Sequence, residues 1–120
     1  MAKHENDLVE RTFSFAQAVR RFVDQLPRSI ANIEDANQIV RASGSVAANY
    51  LEAQEGLSRK DFFYRIKLCR KEARESWLWL RLINSAGTKA NDDLRQALVK
   101  EAGELKLIFA SIAAKDDTVD

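Results

Sequence analysis

One histidine, one cysteine, one proline and four glycines are all that 120 residues contain of these four types. A single cysteine excludes an internal disulfide, so Cys69 stands as a lone thiol. The single histidine, His4, sits in a polar N-terminal stretch, whereas a di-iron bundle needs Glu-x-x-His on two helices. Glu72 and Glu75 have no imidazole at that spacing, so neither a metal nor a cofactor is expected. With Pro27 as the sole proline, the chain has too few breakers for an all-β fold, which turns every few residues. No apolar run approaches the length of a membrane span, and Met1–Asp7 lacks the apolar core of a signal peptide. No membrane association is expected, and the cytoplasm is the expected compartment. Catalytic patterns are missing too: there is no Gly-x-Ser-x-Gly, no phosphate loop, and no histidine placed to activate Cys69. Ser43 and Ser45 fit helix packing better than nucleophilic attack. No catalytic residue is expected.

What the chain does contain is long helical periodicity. Helices are predicted over about 7–25, 31–55, 59–85 and 92–114 within one domain covering 1–120. In the first, Leu8, Thr12, Phe15, Val19, Phe22 and Leu26 alternate steps of four and three, with Val9, Phe13, Ala16 and Val23 widening the stripe. Asn6 reads as its N-cap, and Pro27 turns the chain. The second helix buries Ala36, Ile39, Val40, Ser43, Val46, Ala47 and Tyr50, and its run of small residues around Gly44 points to a close neighbour. Gly56 reads as its left-handed stop, and Ser58-Arg59-Lys60-Asp61 resembles a capping box. In the third helix, Phe62, Ile66, Cys69, Ala73, Ser76, Leu80 and Ile83 form an unbroken seam, which makes Cys69 a small buried hydrophobe. Leu68, Trp79 and Leu82 add a second apolar strip, more than one core needs, so another surface is expected to cover it. The fourth helix, starting near Asn91 or Asp92, turns Leu94, Leu98, Ala102 (or Glu101), Leu105, Ile108 and Ile112 inward. Asp116 to Asp120 offer nothing to bury and read as frayed. Short connections make neighbouring helices antiparallel, so the expected fold is an all-α, up-down-up-down four-helix bundle.

The formal net charge of +1 hides a segregation. From Arg59 to Arg81 eight basic residues face three acidic ones, while the remainder holds 11 basic and 15 acidic. Lys60, Lys67, Arg70, Lys71, Arg74 and Arg81 cluster within about a third of the third helix's circumference, with Phe63 and Trp77 at the border. Two readings remain open for that stripe. It is a solvated face whose charges are screened, or it is a phosphate-binding surface with aromatics for stacking. Arg41, Ser45, Asn49 and Glu52 share a face of the second helix opposite its core stripe. They form a solvated face, or a hydrogen-bonded contact with helix three or a neighbouring subunit.

Three stretches carry a family likeness. Phe22-Val23-Asp24-Gln25-Leu26-Pro27 is one, and Ser58-Arg59-Lys60-Asp61-Phe62 continuing into Lys71-Glu72-Ala73-Arg74-Glu75-Ser76-Trp77-Leu78-Trp79-Leu80 is another. The most specific is Arg41-Ala42-Ser43-Gly44-Ser45-Val46-Ala47-Ala48-Asn49-Tyr50-Leu51-Glu52-Ala53, similar to Arg-Ser-Ser-x-Ser-Ile-x-Ala-Asn-x-x-Glu-Ala. The sequence thereby resembles the 23S rRNA intervening-sequence proteins from about Asp7 to Leu82. Ala42 and Gly44 depart from the family's usual serine or threonine, and Trp77-Leu78-Trp79-Leu80 is shifted relative to its Tyr-Trp-Leu. The resemblance implies a left-handed bundle that assembles into a ring-shaped homopentamer. It also implies kinship with the accessory proteins of diversity-generating retroelements, which bind nucleic acid and a reverse transcriptase. The expectation is a non-enzymatic homo-oligomeric scaffold that binds RNA, or other nucleic acid such as DNA, through the basic face of helix three. The alternative is a protein–protein adaptor. The motif residues Arg41, Ser45, Asn49, Glu52, Glu72 and Glu75 are then expected at assembly contacts.

Overall fold

Four α-helices, α1 (Lys3–Val23), α2 (Ile30–Ala53), α3 (Arg59–Leu82) and α4 (Lys89–Ala113), follow one another with no strand among the described residues. A computed structural model describes residues 3–85 and 87–118 of the protein, with side chains from Asp7 onward. α1 packs on α2, α2 on α3 and α3 on α4, and α4 closes back on α1, so α1 and α3 lie on a diagonal, as do α2 and α4. Cross-helix partners run in opposite directions along the chain. Asn32 meets Asn84, Arg41 meets Glu72 and Asn49 meets Arg65, so α2 and α3 are antiparallel. Trp77 beside Gly103 and Lys67 beside Asp116 show the same for α3 and α4. The product is an all-α antiparallel four-helix bundle, 47 × 28 × 19 Å.

Capping chemistry sets the helix ends. Ser29, Ser58 and Thr88 take extended backbone, and their hydroxyls accept from the amides of Asn32, Asp61 and Asn91. Thr88 therefore starts α4 earlier than Asn91 or Asp92. At Ser58 only half of the expected box forms, because the Asp61 carboxylate lies 3.7 Å from Arg65. Asn6 lies inside α1, whose start at Lys3 precedes the expected one, and the side chain of His4 lies outside the described residues. α1 stops at Val23 and α2 at Ala53, each two residues before the expected end, and α3 stops at Leu82 rather than Ser85. Gly56 (φ 68°) and Gly87 (φ 73°) take the left-handed backbone that turns the chain after α2 and α3.

The core follows the seams. Phe22, Ile39, Ile66, Leu80, Leu105 and Phe109 are fully buried, with Tyr50 and Phe109 in tilted contact at 5.8 Å. Phe109 was not among the expected inward residues of α4, where Ile108 and Ile112 are only half-buried. Ala102 faces the core and Glu101 does not; Glu101 instead receives Arg11 Nε at 2.8 Å. Phe13 is a correction: at 55% exposed it lies on the outer edge of α1, beside Leu51. Gly44 accommodates a side chain rather than a helix backbone. A Cβ there would stand 3.1 Å from the Arg20 guanidinium, which reaches from α1 to the Val40 carbonyl. At one end of the bundle, buried Asn32 joins two loops: its amide donates to Pro27 O and Asn84 O and its oxygen accepts from Asn84 N. No helix among the described residues is long and apolar enough to cross a membrane.

Candidate nucleic-acid interface

Because Ile66, Cys69, Ala73, Ser76 and Leu80 face the core, the opposite arc of α3 faces solvent. Lys60, Lys67, Arg70, Lys71, Arg74 and Arg81 all lie there, exposed, over about 31 Å of helix at 1.5 Å per residue. Part of that arc borders α4, and between the two helices runs a groove of about 910 Å³. Tyr64, Leu68, Trp77, Leu107 and Ala110 give it apolar surface; Lys67, Arg70, Lys71, Arg74 and Lys106 give it charge. No carboxylate lines it.

The cations are unequally engaged. Lys71 Nζ lies 3.6 Å from Glu75, a long pair between an exposed lysine and a partly buried glutamate. No hydrogen bond or ion pair among the described residues holds Lys60, Arg70 or Arg74. Lys67 Nζ donates to Asp116 at 2.6 Å, and Arg59 Nε donates to Asp117 at 2.6 Å. The C-terminal residues are therefore not frayed up to Thr118; they fold back over the start of α3, while Val119 and Asp120 lie outside the described residues. The Lys67 hydrogen bond, aided by Thr118, holds the Asp116 carboxyl well below the usual aspartate range, and Arg59 lowers Asp117 in the same way.

Of the two aromatics at the stripe's border, one reaches the groove. Phe63 is buried, its ring 5.2 Å from Phe62 and capped by Arg59, so it is not free to stack on a base. Trp77 is half-buried at the groove, with Arg81 4.3 Å and Lys106 Nζ 4.6 Å from its ring centroid. Gly103 on α4 leaves room for that indole, since a Cβ there would stand 3.7 Å from it. Tyr64, Lys106 and Leu107 escaped the sequence reading. The last two are on a different helix, and nothing in their spacing ties them to α3.

The polar face of α2 meets α3 within the same chain. Arg41 Nη1 donates to Glu72 at 3.0 Å and its Nη2 to Glu75 at 3.4 Å. Arg65 donates to Asn49 Oδ1 at 3.3 Å, and Asn49 donates to the Ser45 carbonyl at 3.0 Å. Glu52 is exposed and joins none of these contacts. In the second apolar strip, Trp79 is half-buried against the core, Leu68 is half-buried at the α3–α4 groove, and Leu82 is exposed. Among the described residues no three of His, Cys, Asp and Glu come together. Cys69 is sealed in the core, where burial pushes its thiol up to about 12.

The comparisons bear on this arrangement. The family model for the 23S rRNA-intervening sequence protein matches residues 4–110. The chain belongs to that family. Its match takes in α2, α3 and most of α4, and so the whole groove. Within the S23 ribosomal protein family, a crystal structure from Bacteroides thetaiotaomicron superposes with a TM-score of 0.73 at 23% identity. It covers 88% of this chain and 97% of its own, and is a protein of unknown function. At that identity the likeness concerns the fold. No match is found among curated proteins.

Proposed function

We propose that this 23S rRNA-intervening sequence protein is a non-enzymatic, homo-oligomeric scaffold that binds RNA through the α3–α4 groove. The observation that carries the reading is the groove's lining of five cations without a carboxylate around an aromatic and aliphatic floor. Phosphates would meet Lys67, Arg70, Lys71, Arg74 and Lys106, while unpaired bases would lie on Tyr64 and Trp77. Long flexible cations reach phosphates and read no base edges, so little sequence preference is expected. The near-neutral net charge is compatible with this, because association follows the local field rather than the total.

Assembly is part of the same reading. Leu78 and Leu82 are exposed on α3, outside the bundle core, and suit a subunit contact. The family resemblance points to a closed ring of five. A ring repeats the groove once per subunit, so modest contacts add through multivalency.

The test is a titration of structured RNA and duplex DNA at two salt concentrations, with light scattering to fix the oligomer. Wild type should bind with an affinity that falls steeply with salt, and Arg70→Glu/Arg74→Glu should assemble but lose binding. A second reading has its own observation: Leu107 is 66% exposed in the groove and equally suits an acidic, apolar segment of a partner protein. An assembled wild type that ignores nucleic acid at low salt would put that adaptor reading in front.

A further inference from the structure

We infer that the acidic C-terminal turn is a built-in competitor for the basic groove, holding Lys67 and Arg59 until a polyanion displaces it. The inference rests on the groove being a polyanion site and adds how that site is regulated. Asp116 and Asp117 each put a carboxylate oxygen 2.6 Å from a cation of α3, where a phosphate oxygen would otherwise sit. The turn is ordered from both sides. After α4 ends, Lys115 N and Asp116 N still bond to Ile112 O and Ala113 O. Asp116 Oδ1 then accepts from Thr118 N at 2.9 Å and Thr118 Oγ1 at 2.5 Å, leaving Oδ2 aimed at Lys67.

Position makes the contact competitive. Lys67 lines the groove, so the turn neutralises a cation of the site itself. Arg70 and Arg74, one and two turns further along, stay open. The hold is also of a displaceable kind. Arg59 and Asp117 are both largely exposed, and Lys67 is half-exposed opposite a mostly covered Asp116, so water and salt screen the first pair fully and the second through its lysine. A ligand in wild type must expel the turn or stop short of Lys67. Either way it binds less tightly than the uncovered groove allows.

The experiment compares wild type, Asp116→Asn/Asp117→Asn and the control Asp24→Asn/Glu34→Gln in titrations with a labelled uridine homopolymer across a salt series. The control makes the same change in charge at exposed positions in the α1–α2 loop and on α2. The tail variant should bind about 2- to 30-fold more tightly, the equivalent of two surface ion pairs released. Where the ligand gains Lys67 or Arg59, its salt slope should steepen by about 0.7 per added phosphate contact. The control should match wild type, and circular dichroism should show all three equally helical. Equal affinity of the tail variant and wild type would overturn the competitor, as would equal tightening by the control. Failure of every protein to bind would instead reject the groove as a polyanion site, and the competitor with it.

Discussion

Arg41 on α2 and Glu72 on α3 are joined at 3.0 Å, but only the carboxylate is buried: Glu72 is 7% exposed, whereas the arginine side chain is half in solvent. The asymmetry decides what each substitution does. Arg41→Ala strands a buried carboxylate and should cost about 1–3 kcal/mol in a urea melt. Glu72→Gln in the same background removes the stranded charge and should recover part of that loss. Glu52→Ala, on the same helix face but outside the network, should change subunit stability by less than about 0.5 kcal/mol.

Asn32 holds the α1–α2 loop against the α3–α4 loop through three hydrogen bonds from one buried side chain. Asn32→Ala removes all three together. A loss of about 1–3 kcal/mol is expected, read as a lower denaturation midpoint with an unchanged slope.

The C-terminal turn should depend on pH only in strong acid. The Asp116 and Asp117 carboxyls are both lowered when docked, so their contribution is complete above the ordinary aspartate pKa of about 3.9. It fades as pH falls through the lowered values. The Thr118 amide, bonded to Asp116, reports this directly by NMR. Its shift should hold steady from neutral pH down to about 3.9 and move below that. A midpoint near neutrality would contradict the docked geometry.

Cys69 should be inert while the bundle is folded. Its side chain is fully buried, its thiol is raised to about 12 by burial, and the thiolate is the reactive form. Labelling by a thiol reagent at pH 8 should therefore proceed at the rate of unfolding and accelerate in urea. Immediate labelling of the native protein would show the α3 seam to be open.

Periodicity made the bundle legible. Ile66, Cys69, Ala73, Ser76, Leu80 and Ile83 keep a heptad spacing, and all are buried. Where a stripe is wide, its edge is ambiguous: Phe13 is as apolar as Phe15, yet the arc buried by α2 and α4 ends short of it. Phe63 erred in the other direction, since its place beside the basic residues concealed its burial under Arg59. The cations of α3 were readable from one helix alone. The groove was not, because Lys106 and Leu107 come from α4 and only the α3–α4 packing brings them to Trp77 and Lys67. The tail was misread for a related reason. Asp116 and Asp117 carry no apolar side chain, and ion pairs with turn hydrogen bonds, not apolar burial, fold them back.

Whether RNA lies in the α3–α4 groove is tested most directly by zero-length photocrosslinking. A thiouridine-substituted RNA is bound to the assembled protein at low salt, irradiated, and the attached peptides are identified by mass spectrometry. Crosslinks should fall on Tyr64, Trp77, Lys71 and Lys106, from the two helices that line the groove. They should disappear in Arg70→Glu/Arg74→Glu. Crosslinks confined to the α1–α2 side, or unchanged in that variant, would contradict the account.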